Sequence, residues 1–378
     1  TLARGQEKTI KVTVKPRYSG ARSAIMVVDD AKTMSTDLRV PLTVVAPRST
    51  PAPTYRQATK TSVERNRYKS VFVTVPPGTK NLSVRMSGIA SGSQTRWIAN
   101  NPYGIPVEST SSLLCFSNFS DASKCDPYFR NYADPIPGVW EFVVESRRTT
   151  PDLTNPFRLD INAQGVSVTP PTQTLASVTA GQPTTVTWDV KNGFGPVTAK
   201  AVGGPLGSAL SERTTIANHE TQEFTVEVPA GASELTATIG NPSDQGADLD
   251  LTVYDENGAQ VGQSADGDSE ESVTIPNPAA GTYTVEVDGY EVPSGSTEYD
   301  YLDVFTSPEL GSLTVTDPAG SFTLDAGATR TVTGEITATQ APAAGRKLFG
   351  AMEVQNVPPA GSEPGVLGRG EVIITAVN

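Results

Sequence analysis

The sequence predicts an all-β chain of several small domains, sandwiches alternating with jelly rolls, and three observations carry that prediction. Short stretches of alternating apolar and polar residues recur at about the 8–12 residue spacing expected of strands joined by turns. The 378 residues include 33 Gly and 30 Pro, and apolar residues seldom repeat at i, i+3, i+4 without one of these interrupting, so no segment reads as a helix. Two different internal repeats also alternate along the chain, as small β modules in tandem do.

The first repeat has three copies. Thr1-Leu2 leads to "ARGQEKTIKVTV", Thr174-Leu175 to "ASVTAGQPTTVTWDV" and Thr323-Leu324 to "DAGATRTVTGEI". Each reads as Thr-Leu, a turn at Gly5, Gly181 or Gly327, and a half-buried strand. Ile10, Val12 and Val14 share a face in the first copy, as do Val186, Trp188 and Val190 in the second. In the third, Val332, Glu335 and Ile336 keep the pattern less strictly. Copies two and three follow another strand, "GVSVTP" and "GSLTVTDP", whereas nothing precedes copy one. Copies one and three share a second half, "SGARSAIMVVDD" with "AGRKLFGAMEVQN" and "LRVPLTVVAP" with "RGEVIITAV", which copy two loses or shortens. Each unit resembles a small immunoglobulin or fibronectin-III-like sandwich. The first, lacking its opening strands, is expected to begin inside a domain, to expose a sheet edge, and to be completed by strands of a preceding polypeptide.

The second repeat lies between these copies. "VFVTVPPGTKNLSVRMSG" aligns with "EFTVEVPAGASELTATIGN", "TRWIANNPYG" with "DLDLTVYDENG", and "PGVWEFVVES" with "AGTYTVEVDG". Strand, Pro-x-Gly turn and strand in this order predict an antiparallel jelly roll. The expected division is a sandwich lacking its N-terminal strands over 1–50, a jelly roll over 51–164, a short sandwich unit over 165–212, a second jelly roll over 213–307 and a sandwich over 308–378.

Composition narrows the function. A single His leaves little to build a general base or a metal site from, which argues against catalysis within these residues. The net charge of −12 is divided: residues 1–165 hold 22 Lys and Arg against 13 Asp and Glu, and residues 166–378 hold 7 against 28. An acidic chain makes a poor nucleic-acid binder. No apolar run reaches the length of a membrane span.

At "ADLDLTVYDENGAQVGQS" followed by "IPNPAAGTYTVEVDGY" the chain resembles a bacterial pre-peptidase C-terminal domain, over about residues 215–306. Residues 54–164 are similar to a diverged copy in which Arg96-Trp97 replaces the acidic pair. The intervening units resemble the accessory sandwiches that follow the catalytic domain of secreted subtilisin-like (S8) serine peptidases, and the whole order is similar to the C-terminal region of large actinobacterial subtilases. The catalytic motifs of that family do not carry over: no Gly-Thr-Ser turn and no His-Gly-Thr segment occurs, and His219 sits in "ANHETQEF". The resemblance therefore implies a secreted protein whose catalytic subtilase domain lies N-terminal to Thr1, on the same or a cleaved chain, and acts on protein or peptide substrates. An independent glycan or cell-wall binding module and a structural stalk are the competing readings.

Three sets of residues are candidates for function. Cys115 and Cys125, ten apart in a polar stretch, fit a disulfide closing a loop in an extracellular setting, with two free thiols as the alternative. Asp244, Asp248, Asp250, Asp255, Asp266 and Asp268 suggest Ca²⁺, which takes six to eight oxygen ligands, and Asp248 and Asp250 leave one face of a strand. The alternative is a solvated acidic face. Trp97, Tyr103, Phe119, Tyr128 and Phe129 offer aromatic platforms for a sugar or peptide, or else belong to the core.

Overall fold

The computed structural model describes residues 5–30 and 32–378, and they are all β apart from one four-residue helix. They fall into two compact units. The first runs up to Gly165 and includes Gly193–Pro196 and Pro358–Gly365; the second holds Val166–Asn192, Val197–Val357 and Val366–Asn378.

The first unit opens with a hairpin, β1 (Gly20–Val28) and β2 (Leu38–Ala46), paired from Gly20↔Ala46 to Val28↔Leu38. These two strands form a sheet of their own. The alternation of Ile10, Val12 and Val14 predicts a strand, but the structure forms none there, and all three side chains are about half exposed. A strand needs a neighbour for its backbone N–H and C=O groups, and none lies alongside among the described residues. Thr1-Leu2 lies outside those residues.

The first jelly roll consists of β3 (Arg56–Glu64), β4 (Tyr68–Val75), β5 (Asn81–Ser87), β6 (Thr95–Asn100), α1 (Thr110–Leu113), β7 (Phe129–Ala133), β8 (Gly138–Ser146) and β9 (Thr154–Gln164). Its sheets run β3-β9-β5-β7 and β4-β8-β6. Alternation drives the packing: Leu82, Val84 and Met86 of β5 face Trp97 of β6 and Trp140, Phe142 and Val144 of β8 in one buried cluster. Each such side chain contributes about 1.5–3 kcal/mol by leaving water.

The second unit starts with β10 (Val166–Thr169), β11 (Thr172–Leu175), β12 (Thr184–Asn192) and β13 (Val197–Val202). There follow β14 (Pro205–Ala217), β15 (Thr221–Val228), β16 (Glu234–Gly240), β17 (Asp248–Tyr254), β18 (Gln260–Ser264), β19 (Glu271–Pro276), β20 (Gly281–Glu291) and β21 (Ser296–Asp317). It ends with β22 (Ser321–Leu324), β23 (Thr329–Ala338), β24 (Lys347–Asn356) and β25 (Val366–Ile374). A second jelly roll is built on neighbours β14-β21-β16-β19 against β15-β20-β17-β18. That order repeats the first jelly roll, β3-β9-β5-β7 against β4-β8-β6, with β18 added at the edge of the second sheet.

The sandwich of this unit departs from the expected division. Residues 165–212 and 308–378 read as two units, yet β12 pairs with β23 from Thr184↔Ile336 to Lys191↔Thr329, and β13 pairs with both β22 and β24. The two stretches thus make one sandwich, β10-β12-β23-β21 facing β11-β25-β24-β13-β22. The reason is burial: Trp188 of β12 and Val332 and Ile336 of β23 are fully buried only because each half covers the other. The second jelly roll is an insertion within this sandwich, entered along β14 and left along β21, which pair over most of their length. At the crossing, Gly311 has φ +119°, and a Cβ there would lie 2.0 Å from the Thr337 carbonyl oxygen.

Candidate binding and metal-ligating surfaces

In the first jelly roll, β6, β7 and the connection between them carry the candidate aromatic residues, and the connection holds both cysteines. Cys115 and Cys125 are joined in a disulfide, with their Cα atoms 6.0 Å apart. The loop it closes holds Phe119, 54% exposed, with the Arg147 guanidinium 3.5 Å from its ring centroid. Asp126 turns the chain back: its Oδ1 accepts the Tyr128 and Phe129 N–H groups at 2.7 and 3.1 Å, and its Oδ2 accepts the Ser362 hydroxyl. Tyr128, 40% exposed, and the buried Phe129 then line a cleft of about 440 Å³ with Ile89, Asn118 and Pro359. Tyr103 stands 75% exposed in the turn after β6, away from this cleft.

Trp97 is a core residue and no platform. Its Nε1–H donates to the Tyr132 hydroxyl at 2.9 Å, and the Arg130 guanidinium lies 4.0 Å from its ring centroid. Tyr132 donates in turn to Glu108 Oε1 at 2.7 Å, and Glu108 Oε2 meets Arg130 Nη1 at 3.0 Å with both side chains buried. Burial, then the Glu108 charge, push the Tyr132 phenol well above its ordinary range, so it stays a donor. The alternation of Thr95, Trp97 and Ala99 is the signal for this inward facing. This network was not legible in the sequence, because Glu108 lies in a loop.

In the second jelly roll the carboxylates divide into two kinds. Asp244 accepts the Ser294 and Gly246 N–H groups at 2.9 and 3.0 Å, and Asp255 accepts those of Asn257 and Ala259 at 2.9 Å each. These bonds hold both carboxyls below the usual carboxylate range and close turns. The others converge at the start of β17. Carboxylate oxygens of Asp266, Asp268 and Glu271 lie within 4.8 Å of one another. Leu249 N–H donates to the Asp268 carbonyl at 3.2 Å, which brings the 266–270 loop against β17. Burial, then the like charges of Glu291, Glu271, Asp266 and Asp268, push Asp248 up, and its Oδ1 is buried with no hydrogen-bond partner. Asp250 is raised by burial and by Asp248, Asp288 and Glu271.

Glu271 is the member that single-residue reading missed. It alternates with Val273 on β19, so its inward facing was available from the period of two. The donor set, all hard carboxylate oxygen, suits Ca²⁺. Part of it is already engaged: Glu271 accepts the Asp266 N–H at 2.9 Å and the Ser264 hydroxyl, and Asp268 Oδ1 accepts the Glu270 N–H at 2.9 Å. Each of these carboxylates keeps lone pairs for a cation.

Residues 220–289, from the turn before β15 into β20, match the family described as the bacterial pre-peptidase C-terminal domain. Over 173 residues the chain is 30% identical to Pyrolysin of Pyrococcus furiosus, a match covering 44% of this chain and 12% of that protein. Among solved structures, Tripeptidyl Peptidase 2 (TPP II) shares the fold with a TM-score of 0.53 at 11% identity, over 95% of this chain and 33% of its own. The chain therefore spans a minor part of each of these relatives, and the match to the pre-peptidase C-terminal family lies within its second jelly roll.

Proposed function

We propose that the chain is the non-catalytic accessory region of a secreted subtilisin-like serine peptidase. It stabilises or orients a catalytic domain carried on the same or a cleaved polypeptide, and helps to engage protein or peptide substrate. The similarity to Pyrolysin over 173 residues carries this reading, and the pre-peptidase C-terminal match supports it. His219 fits it as well: it is exposed in the turn between β14 and β15, at φ +61°, where its N–H donates to the Gly289 carbonyl at 2.7 Å. Among the described residues no helix is long and apolar enough to cross a membrane.

The test is to recover the natural gene product from the culture medium and label it with a fluorophosphonate probe. A labelled polypeptide that also yields peptides of this chain is expected, while the 378-residue chain alone stays unlabelled. An unlabelled natural product would overturn the reading. Retention of the chain on cell-wall glycan, lost on Tyr128→Ala, would make it a binding module instead.

A second proposal concerns Ca²⁺. Asp248, Asp266, Asp268 and Glu271 would hold the ion, and the buried, unpartnered Asp248 Oδ1 favours it over a solvated acidic face. The cation would supply structural cross-linking between β17 and the 266–271 loop. Millimolar Ca²⁺ is expected to raise the melting temperature of the second unit over that in EDTA, and Asp268→Asn to reduce the rise. Identical melting in both would end the proposal.

A further inference from the structure

The sandwich of the second unit shows how one copy of the first repeat is completed. Val186 and Val332 each lie five residues after their turn glycines Gly181 and Gly327, and Trp188 and Gly334 each lie seven after. In the β12–β23 ladder Val186 pairs with Gly334, and Trp188 with Val332. Equivalent strands therefore pair antiparallel about a local twofold, each copy supplying the neighbour that the other lacks. The outer edges are filled by the same exchange. β24 of copy three takes β13 of copy two, and β25 of copy three takes β11 of copy two in parallel.

Among the described residues, copy one carries the same parts without that partner. Ile10 and Val12 lie five and seven residues after Gly5, the places of Val332 and Gly334, and β1 and β2 take the places of β24 and β25. Ile10, Val12 and Val14 are 55, 48 and 50% exposed, whereas Val332 and Ile336 are fully buried. Ile25 and Val27 of β1 are 63 and 54% exposed, and neither outer edge of the hairpin is paired among the described residues. A two-stranded hairpin by itself is marginal in water. Copy one has the long closing hairpin of copy three, not the short ending of copy two, so it is a closing half.

We infer that residues 7–14 and the β1–β2 hairpin form an acceptor for an opening half of the 166–202 design, carried upstream on the parent polypeptide. That half would consist of a strand, a proline, a Thr-Leu strand, a glycine turn and a second long strand. Its long strand pairs antiparallel with residues 7–14 in the β12–β23 register, so that its own residue seven after the glycine stands opposite Ile10. Its Thr-Leu strand lies parallel to β2. The parent is then a series of split sandwiches, each interrupted by an inserted domain as the second unit is by its jelly roll. This inference rests on the accessory-region reading in that both require a longer polypeptide.

The experiment compares hydrogen exchange in the 378-residue chain and in the natural gene product, with amine-directed cross-linking from Lys8, Lys11 and Lys15. In the chain alone, the amides of residues 7–14 are expected to exchange as in an open chain. In the longer protein, alternate amides there gain at least about 100-fold protection, and cross-links lead to an upstream segment of the strand–proline–Thr-Leu–glycine pattern. Val12→Asp leaves the melting of the chain alone unchanged and abolishes the protection in the longer protein, while Val12→Leu retains it. Free exchange at 7–14 in the longer protein would overturn the inference, as would cross-links to a segment without that pattern. So would a dimer of the 378-residue chain that protects these amides by itself. Fluorophosphonate labelling of a product whose residues 7–14 stay unprotected would leave the accessory reading standing and remove only this inference.

Discussion

At the scale of single residues, Asp160 of the first jelly roll shows how charge is held at a sheet surface. Burial alone would raise its carboxyl, but hydrogen bonds from Arg158, at 2.7 and 2.9 Å, and from Arg56 outweigh it and hold the group below its ordinary range. An unfolded aspartate titrates near about 3.9, so the pairs stabilise the fold at neutral pH and down to about pH 4. Their contribution is lost as the pH falls further, through the folded-state value. Calorimetry of Asp160→Asn is expected to show a lower melting temperature than wild type at about pH 6 and a difference that shrinks as the pH falls below about 4. A difference independent of pH would place the effect in packing. Residues of this kind show what a sequence reveals and what it hides. The inward facing of Trp97 and of Glu271 follows from the period of two in "TRWIAN" and "ESVTIP". The exposure of Tyr128 does not, because it stands outside any strand and its position is set by the Asp126 turn.

At the scale of elements, β21 makes the largest demand on its sequence. Over 22 residues it serves the jelly roll first and the sandwich after, and its register with β14 shifts between Pro205 and Leu206 to bypass residues 308–311. Gly311→Ala places a methyl group 2.0 Å from the Thr337 oxygen and 2.9 Å from the Ala338 Cα, at a φ that favours glycine. It is expected to cost at least about 2 kcal/mol in urea unfolding of the second unit. Gly204→Ala, with open space around it, is the control and should change stability by less than about 1 kcal/mol. Strand positions and both repeats were legible because alternation and turn residues are local signals. Which copy pairs with which was not: the β12–β23 ladder joins residues far apart in sequence, and an edge strand carries no label for its partner.

At the scale of the whole molecule, the second unit is a sandwich whose two halves are separated by an inserted jelly roll. Because Leu210 and Asp303 face each other in the β14–β21 ladder, the insertion leaves and returns at one place. Replacing residues 211–302 with Asn-Gly, a two-residue turn suited to a hairpin, is expected to leave a sandwich that folds by itself with Trp188 buried. Red-shifted Trp188 emission in a Trp97→Phe, Trp140→Phe background would show instead that the insertion is needed for closure. The same ladder bears on the entropy of closing the sandwich. Lys191 and Thr329 meet across about 140 residues of chain, and loop closure becomes dearer with length as about (3/2)RT ln n. Once the jelly roll has zipped β14 against β21, the chain left to close falls to about 40 residues, which lowers that entropy by about 1 kcal/mol, several-fold in rate. An insertion that folds first thus removes from sandwich closure the entropy cost that its own length adds.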